Sequence, residues 1–125
     1  MTDMGSHPAN LAVRFLLELS AYFVLGVWGW QRREDGFRIL LAVAIPLVAA
    51  AIWGTFAVPN DPSRGAWAPV PIPGLLRLAL ELGFFALAAL ALSDLGFYKL
   101  TALFAAVVAI HYLISYDRVR WLVGQ

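Results

Sequence analysis

The sequence predicts an all-α integral membrane protein, a four-helix bundle built from two helical hairpins in approximate parallel repeat. Three observations lead there. Four apolar segments each have the length to cross a bilayer, which takes about 20 residues of helix. The 125-residue chain is 62% hydrophobic and 14% charged, whereas a soluble domain is about 45–50% apolar and about 25% charged. One costly motif, an arginine followed four residues later by a glutamate, stands at the same distance into two of the segments, as Arg14–Glu18 and Arg77–Glu81.

Such a composition, with a mean hydropathy of +0.77, holds more apolar residues than a core of this size can bury, so lipid is the expected solvent. The length suits one membrane domain over residues 1–125, with spans near 11–30, 37–58, 73–92 and 97–116. Unpaired backbone polar groups are not tolerated in hydrocarbon, so these spans must be helices. Strands are not expected, because no span alternates and the apolar runs are too long. The net charge of +1 gives no reason to expect nucleic acid. The absence of cysteine removes disulfides, thiolate metal sites and thiol redox chemistry.

Residues 1–10 are polar, with Pro8 suited to a first helical turn and Asn10 to a cap; His7 is assigned no role. A cleaved signal peptide fits the first span poorly. It has no basic leader, it is long, and Gln31-Arg-Arg-Glu-Asp follows it where small residues should stand. Gln31–Gly36 reads as a tight charged turn into the second span. Pro46 lies within that span and leaves the Ala42 carbonyl without its helical donor, so a static kink is expected. The stretch 58–73 carries Pro59, Pro62, Pro69, Pro71 and Pro73, which exclude a helix and favour a stiff, extended path. Ser93-Asp-Leu-Gly96 is the second tight turn, with Gly96 able to take positive φ. In the tail, Arg118, Arg120 and Trp121 suit headgroups. Trp28, Trp30, Trp53, Trp67, Tyr112 and Tyr116 fall at span boundaries, as an aromatic belt would. Gly26 and Gly29, the run 49–54 and the run 86–91 offer small faces for helix packing.

The halves align through Arg14/Glu18 with Arg77/Glu81, Ser20 with Gly83, and Gly36-Phe37 with Gly96-Phe97. Each half holds two spans, so both enter from the same side, as a parallel repeat does. The second and fourth spans diverge, Pro46 standing opposite Ala106.

Charge in hydrocarbon costs about 2.5–3.5 kcal/mol per group on insertion scales and marks a candidate site by default. The terminal side of the membrane holds both chain ends and the proline-rich loop. At 1.5 Å per residue, Glu18 lies roughly 10 Å and Glu81 roughly 12 Å below it, and His111 roughly 8 Å, with Ser115 one turn further along the same face. Arg14 and Arg77 lie just above. Four readings compete. The arginines alone could snorkel to headgroups, which the deeper, shorter glutamates cannot do. Intrahelical pairing explains the spacing poorly, because arginine before glutamate is the weaker order. A buried network that holds the fold, with Arg14 reaching Glu81 and Arg77 reaching Glu18, stands against a ligand or transport site made of Arg14, Glu18, Arg77, Glu81, His111 and Ser115. Metal is not expected, since two arginines repel a dication, and no cofactor or catalytic set is implied. No nucleophile elbow, phosphate-cradling loop or zincin motif occurs. Trp67, in the proline-rich loop above the cluster, is a candidate cover for the bundle mouth.

With Arg-Phe-Leu-Leu-Glu-Leu in the first span, Pro46 and Ile52-Trp-Gly54 in the second and Leu-Arg-Leu-x-Leu-Glu81 in the third, the chain resembles the YrdB family of small bacterial membrane proteins over nearly its whole length. The resemblance implies an inner-membrane four-helix protein with no established activity, and it assigns no catalytic residue. Two functions remain open: binding or passage of a small solute, ion or proton through the cluster, or a structural or accessory membrane subunit whose charges only fix packing. The lipid bilayer is the expected partner, with a homo-oligomer or larger membrane complex left open. The positive-inside count is close to a tie, and both termini are expected in the cytoplasm.

Overall fold

A computed structural model of the chain describes residues 7–59, 61 and 68–125. Trp67 and Arg64 lie outside the described residues. The order of elements is α1 (Pro8–Trp30), α2 (Phe37–Thr55), β1 (Phe56–Ala57), β2 (Val70–Pro71), α3 (Gly74–Asp94), α4 (Tyr98–Ile114) and α5 (Tyr116–Val123). The described chain is thus almost wholly helical. By length and composition α1, α2 and α3 can each cross a membrane, and α4 does so only when joined to α5 as a bent pair.

The first helix starts where proline allows it, but its cap is His7 rather than Asn10. The His7 imidazole accepts from the Ala9 amide at 3.1 Å, one of the donors a helix start leaves unpaired. Asn10 is already inside the helix and buried, and its amide donates to Ser115 at 2.6 Å. In the turn between α1 and α2, Asp35 accepts from the Phe37 amide and from Arg33. The Arg33 hydrogen bonds hold the Asp35 carboxyl below its ordinary range.

α2 runs through Pro46 as one helix, and none of its residues is fully buried. It leans mainly on α1. The two helices approach closely at Gly29, where a Cβ would meet the Leu41 carbonyl oxygen at 2.7 Å. The core is therefore made by α1, α3 and α4: Leu17, Ala21 and Leu25 meet Phe84, Phe85, Ala88, Phe104 and Val108. Phe84 is the hub of its aromatic part, 5.0 Å from both Tyr22 and Trp53 and 5.2 Å from Phe85.

Strands were not expected, yet β1 and β2 form a short parallel pair, Phe56 with Val70 and Ala57 with Pro71. The feet of the proline-rich loop are tied together there, with the Ile72 amide donating to Ala57 at 2.9 Å. The pair stays short because Pro71 has no N–H to extend it.

At the far side, Gly96 closes the α3–α4 turn at φ 89°, in the left-handed region that favours glycine. Trp28 donates to Asp94 at 2.8 Å, and Arg32 pairs with the same carboxylate at 3.2 Å. This clasp joins the C-terminal ends of α1 and α3, so the two helices run side by side in the same direction.

The fourth apolar segment is not one straight span. α4 stops at Ile114, and after Ser115 the chain turns by 72° into α5. α5 crosses to the start of α3, where Leu122 is fully buried and its carbonyl packs onto Gly74. The expectation that Arg118 sits among headgroups is corrected here. Arg118 is 5% exposed and points into the protein, because two carboxylates there receive it. Arg120 remains exposed, over the Tyr116 ring at 5.7 Å.

Candidate functional site

Both Arg/Glu pairs lie on helices that start at the terminal side, and the parallel packing of α1 and α3 brings them together. Arg14 on α1 is buried and donates through Nη2 to Glu81 Oε2 at 3.0 Å. Arg77 reaches the same oxygen through Nε at 2.7 Å, one turn along its own helix. Arg77 therefore serves Glu81 and not Glu18. Its Nη1 donates to the carbonyls of Trp53 and Phe56, at the negative end of α2.

Two further elements complete the shell. Arg118 on α5 grips Glu81 with both terminal nitrogens, Nη1 to Oε1 at 2.7 Å and Nη2 to Oε2 at 2.8 Å. Tyr112 on α4 donates its hydroxyl to Oε1 at 2.8 Å. Glu81 thus has no exposed surface and accepts five hydrogen bonds, donated from α1, α3, α4 and α5. A carboxylate offers about four lone-pair sites, so this one is full. Arg118 also bridges to Asp61 of the loop, at 2.7 Å. Trp53 lies against the guanidiniums of Arg77 at 4.5 Å and Arg14 at 5.5 Å. Among the described residues, Arg14, Arg77 and Arg118 face Glu81, Glu18 and Asp61, and the charges balance.

The second glutamate is placed differently. The Glu18 side chain is 17% exposed, and its ion pair with Arg14 Nε is long, at 3.5 Å. Among the described residues this long contact with Arg14 is the ion pair that holds Glu18, against five short hydrogen bonds at its twin. His111 is buried on α4, edge-on to the Tyr112 ring at 5.4 Å, and its Nδ1 has no hydrogen-bond partner. Ser115 accepts from Asn10, and among the described residues no hydrogen bond links it to a carboxylate. Among the described residues, no three His, Asp or Glu side chains gather in a way that could hold a metal ion.

Sequence reasoning missed Arg118, Asp61, Tyr112 and Asn10. Tyr112 was assigned to the aromatic belt, but its hydroxyl points inward to Glu81. Asp61 and Arg118 did carry a signal. Asp61 is the one acidic residue of the loop 58–73, but the tail past the last span offers two arginines, Arg118 and Arg120, and packing selects Arg118 as its partner. Three apolar grooves open on the sides of the bundle: about 610 Å³ between α1 and α4 along Leu17, Phe23 and Leu103, about 510 Å³ between α1 and α2 at Tyr22, Gly26 and Pro46, and about 450 Å³ between α2 and α3 at Ile52, Leu80 and Gly83. None of the three is lined by a charged residue of the network.

With this geometry in place, the chain can be set against known proteins. A family model described as "Protein of unknown function (DUF2568)" matches residues 12–109, which takes in both Arg/Glu motifs and His111's helix almost to its end. The chain belongs to the DUF2568 family. It is similar to "Uncharacterized protein YrdB" of Bacillus subtilis (strain 168), with 36% identity over 119 residues, 95% of this chain and 97% of the relative. The resemblance to the YrdB family drawn from the spans therefore holds across the chain. No solved structure matches it. Neither DUF2568 nor the Bacillus relative brings an activity, so function rests on the residues.

Proposed function

We propose that this DUF2568 member is a structural or accessory subunit of the bacterial cell membrane, a four-helix bundle in which buried charge fixes how the helices pack. One observation carries the reading: Glu81 is saturated by donors from four helices and has no exposed surface. A saturated carboxylate has nothing left for a ligand, but it defines the rotation of every helix around it. The parallel relation of the halves is supported by two contacts at opposite ends of α1 and α3, Arg14–Glu81 and Trp28–Asp94, separated in sequence by 67 and 66 residues. The exposed apolar faces of α2 and of the grooves meet lipid, a second copy or a larger membrane complex. In this reading both termini face the cytoplasm, on the near-tied positive-inside count.

Unfolding in detergent micelles tests the structural role. Removing one partner of a buried pair costs about 3–5 kcal/mol, so Glu81→Gln should unfold far more easily than Leu82→Gln, a change at an exposed neighbour. Equal stability of the two variants would reject the reading.

A second reading is kept because of Glu18. In it the cluster of Arg14, Glu18, Arg77, Glu81, His111 and Ser115 binds or passes a small solute, an ion or a proton. Its support is that, among the described residues, Glu18 is held by one long ion pair and the Nδ1 of His111 takes no hydrogen bond, which leaves them able to take a guest. Sealed vesicles carrying the protein and an internal pH dye should then lose an imposed proton gradient faster than empty ones. An equal rate would count against the passage of protons.

A further inference from the structure

The two motifs are alike in sequence, but the structure divides their labour. Glu81 is fully buried and ionically matched by Arg14, Arg77 and Arg118. Glu18 stands one helix away on the same side of the bundle and shares Arg14 with Glu81, meeting it only at 3.5 Å. Arg14 favours Glu81, at 3.0 Å against 3.5 Å. An ionised carboxylate is an acceptor only and is costly in hydrocarbon without donors. Protonation removes that charge and asks for no change in the shell. The same step at Glu81 would turn an acceptor oxygen into a donor facing guanidinium N–H groups and the Tyr112 hydroxyl.

The surroundings select the guest. From α1, Glu18 faces Arg14 and, one turn on, Tyr22, whose hydroxyl forms no hydrogen bond among the described residues. From α3 it faces Arg77 and Glu81. Behind Arg14 and Arg77 stands the Trp53 ring of α2, while Arg118 of α5 is engaged by Glu81 and His111 of α4 packs on Tyr112. An organic cation would use the aromatic face of Trp53, but Arg77 and Arg14 already lie against that ring. A metal ion would be repelled by the same two arginines and lacks a second free carboxylate. A proton needs no coordination shell.

We propose that Glu18 is a proton-exchange site within the membrane, a carboxyl that takes a proton from water and returns it, while Glu81 stays ionised as the fixed anchor of the fold. The step is –COO⁻ + H₃O⁺ giving –COOH + H₂O, with no other reactant. On proton uptake Arg14 keeps its 3.0 Å hydrogen bond to Glu81, so the bundle holds through both states. The inference rests on the second reading above, narrowed to one residue and one guest.

The test uses the full chain in lipid vesicles. Infrared difference spectra between acid and alkaline buffer should show a protonated-carboxyl C=O band that Glu18→Gln abolishes. Dicyclohexylcarbodiimide, which adds across its C=N bond to a protonated carboxyl in an apolar setting, should give a one-reagent mass adduct. Peptide mapping should place it on Glu18, absent from Glu81 and falling as pH rises. Glu18→Asp should keep the adduct and Glu18→Gln should lose it. A spectrum with no band attributable to Glu18, or an adduct as abundant on Glu81, overturns the proposal, and both readouts on the unmutated chain stand whether or not a variant folds. A titrating Glu18 in vesicles that hold their proton gradient would keep this inference and remove passage. Leaky vesicles with a silent Glu18 would do the reverse.

Discussion

Arg118 and Glu81 form a two-point grip, guanidinium to carboxylate, at 2.7 and 2.8 Å, between a short terminal helix and a membrane-length helix. Bidentate pairing of this kind fixes orientation as well as distance. It accounts for the 72° turn after Ser115, since α5 must cross the bundle end to deliver Arg118.

Arg118→Leu should lower the stability of the protein in detergent by about 3–5 kcal/mol, the usual result of stranding one buried charge. Arg118→Lys should recover only part of it, because an ammonium cannot span both oxygens of Glu81 and also reach Asp61. Chemical denaturation followed by tryptophan fluorescence measures both. Equal stability of the arginine and leucine forms would show that the grip contributes nothing.

Gly74→Ala should loosen α5 without touching a charge. The added Cβ would overlap the Leu122 carbonyl, so the helix must move. Overpacking of this sort typically costs about 1–3 kcal/mol. Limited trypsin digestion reads the outcome directly: cleavage after Arg118 and Arg120 should become faster than in the parent, and an unchanged rate would place α5 elsewhere.

Orientation can be read with reporters. Among the described residues the terminal side carries Arg118 and Arg120, with Arg14 and Arg77 at its boundary, against Arg32, Arg33, Arg38 and Lys99 on the far side. A C-terminal fusion to an enzyme active only outside the cytoplasm should stay inactive, and the same enzyme inserted after Glu34 should be active. The opposite pattern would invert the protein in the membrane.

Much of the architecture was legible in the chain itself, because the signals involved are local. A run of apolar residues sets a helix, a turn such as Ser93–Gly96 ends it, and the 1.5 Å rise sets the depth of each charge within it. Arg14, Glu18, Arg77 and Glu81 could therefore be placed at one level without any structure. The cost of charge in hydrocarbon then required that they find partners.

The choice of partners depended on packing. Which face of α3 turns toward α1, and where the chain goes after Ser115, are fixed by contacts between residues far apart in sequence, such as Gly74 with Leu122 and Phe84 with Tyr22. Those contacts hand Glu81 to three arginines and a tyrosine and leave Glu18 with a share of one. Two motifs that are equivalent as strings thus become a filled anchor and an open acid, since hydrogen bonding depends on direction and ångströms, and only the tertiary structure supplies them.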